Sequence, residues 1–196
     1  MALLDSSLSL EGLPILLHDR VVLRAPRLSD YEAWRVLREE SREHLTRWEP
    51  VWSAHEISFA AYKDRVKAYA RSIKRGVAAP YFMFDEESGA LVGGVTLINI
   101  LRGAAQSASL GYWTGAPHTR CGYAHGGVQA VLDHGFSAMG LNRIEAACQP
   151  ENAASIGLLD SLGFHREGYA RDYLHINGKW RDHLIYAMTA SDWIRR

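Results

Sequence analysis

Cysteine is nearly missing: the 196 residues contain two, Cys121 and Cys148, 27 positions apart, with no CxxC and no histidine in ligand spacing. A disulfide framework and a zinc site are thereby excluded, no metal is expected, and reduced thiols in a cytoplasm fit the pattern. Excess charge of one sign is also missing, since 22 Lys+Arg balance 22 Asp+Glu. A wholesale nucleic-acid binder would carry a basic footprint, so no direct nucleic-acid partner is expected, although a local basic patch is compatible with the balance. The nine histidines can add charge just below neutral pH. No run approaches the roughly 18 apolar residues of a membrane span. Met1 to Gly12 hold Asp5 and Glu11 but no Lys or Arg, which argues against a secretory signal. There is no internal repeat, low-complexity tract or linker, and neither a P-loop nor a GxGxxG fingerprint occurs.

What is present is an ordinary globular balance, 47% hydrophobic and 22% charged, in a length that suits one domain. Arg20 to Ala25 read as a first strand closed by Pro26. Ser29-Asp30-Tyr31-Glu32 fits a capping box, and Leu28, Tyr31, Trp34 and Leu37 predict a helix to about Glu43. An aromatic loop, His44 to Trp52, precedes a second helix over residues 56–75, with Phe59, Tyr62, Val66, Tyr69 and Ile73 on one face and a stop at Gly76. Tyr81 to Asp85, Leu91 to Ile100 and Ala108 to Thr114 form an antiparallel meander. After Pro117, a stripe of Val128, Val131, Leu132, Phe136 and Met139 marks a helix ended by Gly140. Arg143 to Ala147 is a strand, Asn152 caps a helix bearing Ile156, Leu159 and Leu162, and strands over 165–174 and 181–188 flank an Asn177-Gly178 hairpin turn. The order β-α-α-β-β-β-α-β-α-β-β gives an α+β, or mixed α/β, sheet with helices on both faces.

Two segments carry chemistry. Thr119-Arg120-Cys121-Gly122-Tyr123-Ala124-His125-Gly126-Gly127 opens the long helix. Small residues there let successive N–H groups converge at a helix N-terminus, a ready site for phosphate. Arg120 can add a charge-assisted contact. A plain tight turn accounts for the same residues. The second segment, Asn142 to Ser155, sets a strand, then Pro150-Glu151-Asn152, then a helix whose first turn presents Asn152 and Ser155. Simple N-capping explains that spacing equally well.

Together with the element order, these segments resemble the GCN5-related N-acetyltransferase (GNAT) superfamily. Its phosphate loop has the form Q/R-x-x-G-x-G/A. Gly122 and Ala124 match the fourth and sixth positions, while Thr119 departs from the first. Asn142 to Glu145, Pro150 to Ser155, Leu162-Gly163-Phe164, Glu167-Gly168, and Asn177-Gly178-Lys179-Trp180-Arg181-Asp182-His183 with Tyr186 resemble the Rim-type branch, which acetylates N-termini of ribosomal proteins. The resemblance covers about residues 20 to 190. It implies a GNAT fold: a mostly antiparallel twisted sheet with a V-shaped splay between the fourth and fifth strands, in one domain over residues 20–192, after an arm over residues 1–19.

The resemblance also implies acetyl-CoA as donor. Its pyrophosphate would lie on the amides of Thr119, Arg120, Cys121, Gly122, Tyr123 and Ala124, and its pantetheine on the backbone of Leu110, Gly111, Tyr112 and Trp113. Asn152 would contact the cofactor arm. Ser155 would lie near the sulfur as general acid, and an N–H near Tyr112 or Trp113 would polarise the thioester carbonyl. An α-amine, with a pKa of about 7.7–8.0, is roughly a tenth to a third neutral near pH 7 to 7.5, whereas a lysine at about 10.4 is neutral on the order of once in a thousand. A weak base or a water relay therefore serves an N-terminal acceptor. Glu49, Asp172 and His175 are the candidate bases, and each has a plain alternative as a solvated or ordinary strand residue. Trp48, Trp52 and Tyr112 are candidate groove walls, with Glu49 offering an anion to an amine, although two tryptophans at a spacing of four also serve as packing anchors. Cys121 stands at a helix start, where thiols become reactive, but a small space-filling role is the plainer reading. Cys148 lies near the expected sulfur without a nucleophilic role. The acceptor is a protein N-terminus, a ribosomal protein first of all, with a small amine or a non-catalytic CoA-binding module as alternatives, in a monomer or homodimer.

Overall fold

The computed structural model describes residues 12–195. Alternating apolar residues build eight strands: β1 Leu16–His18, β2 Val21–Arg24, β3 Ala79–Asp85, β4 Leu91–Leu101, β5 Ser107–Thr114, β6 Arg143–Cys148, β7 His165–Ile176 and β8 Lys179–Thr189. They form one sheet in the order β1-β2-β3-β4-β5-β6-β8-β7. Every pairing is antiparallel except β5 with β6. Residues 1–11 of the expected arm lie outside the described residues. Its Leu16–His18 are not an arm but β1, paired with β2 from Leu16↔Leu23 to His18↔Val21. With that strand counted, the expected splay lies between β5 and β6.

The helices are α1 Tyr31–Glu40, α2 Arg42–Thr46, α3 Phe59–Lys74, α4 Tyr123–Asp133 (continued by a wider turn over His134–Ala138), α5 Ala153–Ser161 and α6 Ala190–Ile194. Ser58 caps α3 by accepting the Ala61 N–H at 3.2 Å, and Asn152 caps α5 by accepting the Ser155 N–H at 3.1 Å. Two local expectations change. The start of α1 is held by Asp30 rather than by Ser29: its carboxylate takes the Arg27 N–H at 2.7 Å and two Arg24 nitrogens at 2.8 and 2.6 Å. The first helix also stops at Glu40. Ser41 is fully buried there, and its hydroxyl accepts the Ala116 N–H at 2.8 Å, so a contact 75 residues away interrupts the local pattern.

Strand alternation gives the sheet two apolar faces. Tyr81, Met83, Val95, Leu97, Leu110, Ile144, Ala146, Leu184, Tyr186 and Met188 pack with α4 and α5, while Phe82 packs with Trp34, Leu37, Tyr62 and Val66 of α1 and α3. Helix α4 lies so close to β3 that a Cβ on Gly127 would stand 2.2 Å from Met83 Sδ and 3.2 Å from its Cγ. Gly127 therefore serves packing, whereas Gly122, at φ +83°, makes the turn itself. Gly127→Ala is expected to lower unfolding free energy by about 1–3 kcal/mol through overpacking, measured as a lower urea midpoint at unchanged slope.

Candidate active site

The geometry of the site begins with a mismatch between neighbouring strands. β5 and β6 pair only from Ser107↔Arg143 to Leu110↔Ala146. Beyond that point β5 stays with β4 as far as Gly93↔Thr114, and β6 stays with β8 as far as Cys148↔Leu184. Between them Gly111 to Thr114 offer a strand edge without a partner strand, which an extended chain of amide groups can use.

On the α5 side of this opening, the Tyr112 and Ser155 hydroxyls lie 2.5 Å apart. Burial pushes the Tyr112 phenol above its ordinary value, so it keeps its proton at neutral pH. Burial likewise raises the Cys148 thiol, against the opposing effect of a hydrogen bond with Ser155. Ser155 thus stands beside a protonated phenol, a position suited to handing on a proton. Cys148 keeps its own proton, which is no preparation for nucleophilic attack.

The loop before α4 turns through two left-handed residues, Arg120 at φ 59° and Gly122 at φ 83°. Among the described residues, no internal hydrogen bond occupies the backbone N–H groups from Arg120 to His125. They share the positive end of the α4 dipole, and this fits a phosphate group. The Thr119 hydroxyl turns away and donates to Ala116 O at 3.0 Å. That is why this position need not match the pattern, since its side chain belongs to the preceding turn. Tyr123 is anchored as well. Its hydroxyl donates to Asp85 Oδ2 at 2.9 Å and also receives Arg20 Nη2. Cys121 is exposed and Cys148 buried, and both are free thiols.

Asp85 ties this loop to the sheet. Its carboxylate takes the Ser88 hydroxyl and N–H at 2.7 and 2.9 Å, and Arg20 at 3.0 and 2.7 Å. The Ser88 donors first, then Arg20 and Tyr123, hold it well below the usual carboxylate range. A depressed carboxylate contributes stability that is present above its unfolded value, about 3.9, and is lost as pH falls through the folded value. Asp85→Asn is therefore expected to flatten the acid side of the stability profile below about pH 4, as measured by thermal unfolding from neutral to strongly acidic buffer.

On the opposite face, a cleft of about 340 Å³ is lined by residues that include Trp34, Arg38, Glu49, Trp52, Trp113 and Tyr112. Arg38 is 5% exposed. It donates to Glu49 at 2.7 and 2.6 Å and lies 4.2 Å over the Trp52 ring and 5.2 Å from that of Trp113. Trp52 Nε1 adds a third donor to Glu49 at 2.8 Å. Glu49 is thus the counter-ion of Arg38, and protonating it would leave a buried guanidinium unpaired. Glu56 is held likewise by Arg65 at 2.6 Å. Asn177 at the β7–β8 turn donates to Glu49 O at 2.9 Å, so the hairpin tip closes onto this loop.

The other expected acceptor residues are not gathered here. Trp48 is half-buried beneath Arg47 and does not line the cleft. Asp172 is exposed, with its N–H tied to Asp182 at 2.8 Å, and His175 is exposed against the edge of Trp180. Strand β7 slips register against β8 between Ala170 and Leu174, the stretch that holds Asp172, and His175 pairs with Trp180 beyond it. Arg38 and Asp85 escaped the sequence reading. Arg38 left a trace, as a charge four residues after Trp34 on the apolar stripe of α1. Asp85, the last residue of a strand, left none.

Among the described residues, no group of three or more His, Cys, Asp or Glu side chains is placed to hold a metal ion, and no helix is long and apolar enough to cross a membrane. The family model described as an acetyltransferase (GNAT) domain matches residues 20–165. The ribosomal protein uS5-alanine N-acetyltransferase of Escherichia coli is 33% identical over 177 residues, 89% of this chain and 90% of that one. A structure of Mycobacterium smegmatis RimJ in complex with CoA-disulfide is 34% identical with a TM-score of 0.85, covering 91% of this chain and 87% of that one. The ribosomal-protein-S5-alanine acetyltransferase of Vibrio fischeri is 29% identical, also at a TM-score of 0.85, covering 92% and 98%.

Proposed function

This chain belongs to the GNAT acetyltransferase family, and on that premise we propose that it transfers acetyl from acetyl-CoA directly to the N-terminal α-amine of a protein, in first place a ribosomal protein. The observation that carries the chemical part is the Tyr112–Ser155 pair beside the one parallel joint of the sheet, where β5 and β6 separate. The acceptor class is supported by the 33% identity, over most of both chains, to an enzyme named for the N-terminal alanine of ribosomal protein uS5.

When bound, acetyl-CoA supplies the activated acetyl group. The N–H groups from Arg120 to Ala124 would hold its phosphates, and the free edge of Gly111 to Trp113 would pair with its amide arm. Asn152 orients the start of α5, and Ser155 delivers a proton to the departing sulfur with Tyr112 behind it. Arg38 fixes Glu49 and Trp52 as the cleft wall that receives the acceptor.

Charge in the cleft favours a peptide over a polyamine. Glu49 and Glu56 each carry an arginine partner, so the cleft offers aromatic walls without the unpaired acid a polycation needs. Intact-mass analysis of ribosomal proteins from cells with and without the gene tests the reading. One protein lighter by one acetyl group in the deletion strain is the expected result, and an unchanged set rejects a ribosomal acceptor.

A further inference from the structure

His183 is a buried polar residue, 4% exposed. It lies on β8 beside Leu184, whose partner across the ladder is Cys148, the last residue of β6 at the splay. Leu184, Tyr186 and Met188 face α4 and α5, so alternation sends His183 to the other face, the one shared with the aromatic cleft. Carried one residue further, the same register sets Gln149, the other buried polar residue at this end of the strand, opposite His183.

The ring is oriented. Nδ1 lies 3.0 Å from Arg181 O. A carbonyl only accepts, so Nδ1 carries the proton of this contact and Nε2 is the ring atom left to take up or release one. Nε2 has no hydrogen bond among the described residues. The buried side-chain atoms sealed off without a partner are Arg38 Nε, Tyr81 Oη and Arg181 Nε. His183 Nε2 is not one of them, so it is not fully sealed from solvent. Tyr173 of β7 packs edge-on at 5.6 Å. The charged groups nearest in chain are Arg181 and Asp182 of the same strand, and Asp182 is occupied by the Tyr169 hydroxyl and the Asp172 N–H. Glu49 and Glu56, the carboxylates of this face near the cleft, are both committed to arginines.

We propose that His183 is the catalytic base of the transfer: the buried, pre-oriented imidazole accepts, at Nε2, the proton that the acceptor amine sheds. This rests on the acetyltransferase reading and adds to it a separation of roles across the sheet. Ser155 and Tyr112 serve the leaving sulfur on the α5 face, and His183 serves the attacking nitrogen on the cleft face. In the balanced step, the amine nitrogen forms a bond to the thioester carbonyl carbon and the carbon–sulfur bond breaks. The nitrogen's proton passes to Nε2 and on to water, while the sulfur takes a proton from Ser155, Ser155 takes one from Tyr112, and water returns a proton to Tyr112.

The test compares wild type, His183→Gln and His183→Ala on a synthetic peptide with a free N-terminal alanine and on a panel of small primary amines. CoA affinity and thermal unfolding are measured on each protein. The expected result is CoA affinity within about threefold of wild type, kcat lower by about 10²- to 10⁴-fold, loss of the acidic limb from the pH dependence of kcat/KM, and partial recovery of His183→Ala by added imidazole. Turnover within threefold of wild type, or an unchanged acidic limb, overturns the proposal. A loss of activity matched by a loss of CoA binding or of folded protein in both variants also overturns it, because a structural role then suffices. If the wild type acetylates only a small amine, the N-terminal reading fails and the same comparison on that amine decides the role of His183. Absence of wild-type turnover on every acceptor overturns both.

Discussion

Ser155→Ala is expected to lower kcat by about 10²- to 10⁴-fold, the range that general acid–base catalysis contributes, with CoA affinity largely kept. The phosphate-side contacts assigned to Arg120 to Ala124 are amides in a different segment, so they survive the change. What disappears is the hydroxyl that links Tyr112, 2.5 Å away, with the sulfur side of the opening. A thiol leaving group has a pKa near about 8.5, so at neutral pH it departs most readily with a proton delivered as the bond breaks. Because burial holds the Tyr112 phenol protonated, Tyr112 is the reservoir behind Ser155 and adds no alkaline limb of its own near neutrality. The truncated variant also leaves that phenol without its partner, a cost of about 1–3 kcal/mol. Single-turnover kinetics at saturating acetyl-CoA separate the chemical step from binding, and an unchanged chemical step would end the acid assignment.

Glu49→Gln is expected to act mainly on stability. The Arg38 side chain is 6% exposed, and among the described residues Glu49 is its one anionic partner within salt-bridge distance. Removing one member of a buried ion pair costs about 3–5 kcal/mol, because the remaining charge stays buried without compensation. At about 2–4 °C per kcal/mol for a domain of this size, the melting temperature falls on the order of 10 °C. A base would behave differently. Glutamine is nearly isosteric, so a catalytic carboxylate would lose its activity and its acidic pH limb at nearly unchanged melting temperature. The expected result is the reverse: a large loss of stability with the acidic limb of kcat/KM retained. The double variant Arg38→Met with Glu49→Gln provides the check, since removing both charges is expected to cost less than the sum of the two single changes.

Much of the fold was legible because its signals are local. Alternation of apolar residues marked the meander, Asn152 stood where a helix cap belongs, and Asn177-Gly178 marked the last hairpin. Gly122 and Ala124 sat in a recognisable phosphate-loop pattern, and the turn they make is left-handed at Gly122 as a glycine there allows. The errors share a cause. Ser41 ended α1 early because its hydroxyl is claimed by Ala116. Asp30 displaced Ser29 because Arg24 of β2 lies beside it. At Ser41 a partner 75 residues away, and at Asp30 a neighbouring strand residue, outweighed a local preference of about a kilocalorie.

The sequence alone determined the period of each element, the open backbone at the start of α4 and the family resemblance, because helix and strand periods, caps and turn residues act within a few positions of the chain. Only the tertiary structure decided which side chains meet. Tyr112 and Ser155 are 43 residues apart, and Arg20 and Asp85 are 65 apart. The same holds for the pairing of Glu49 with Arg38 and for the face of β8 that carries His183. Those encounters depend on strand order, register and the crossing of α4 over β3. Such terms depend on the whole sheet, so no window of the sequence contains them.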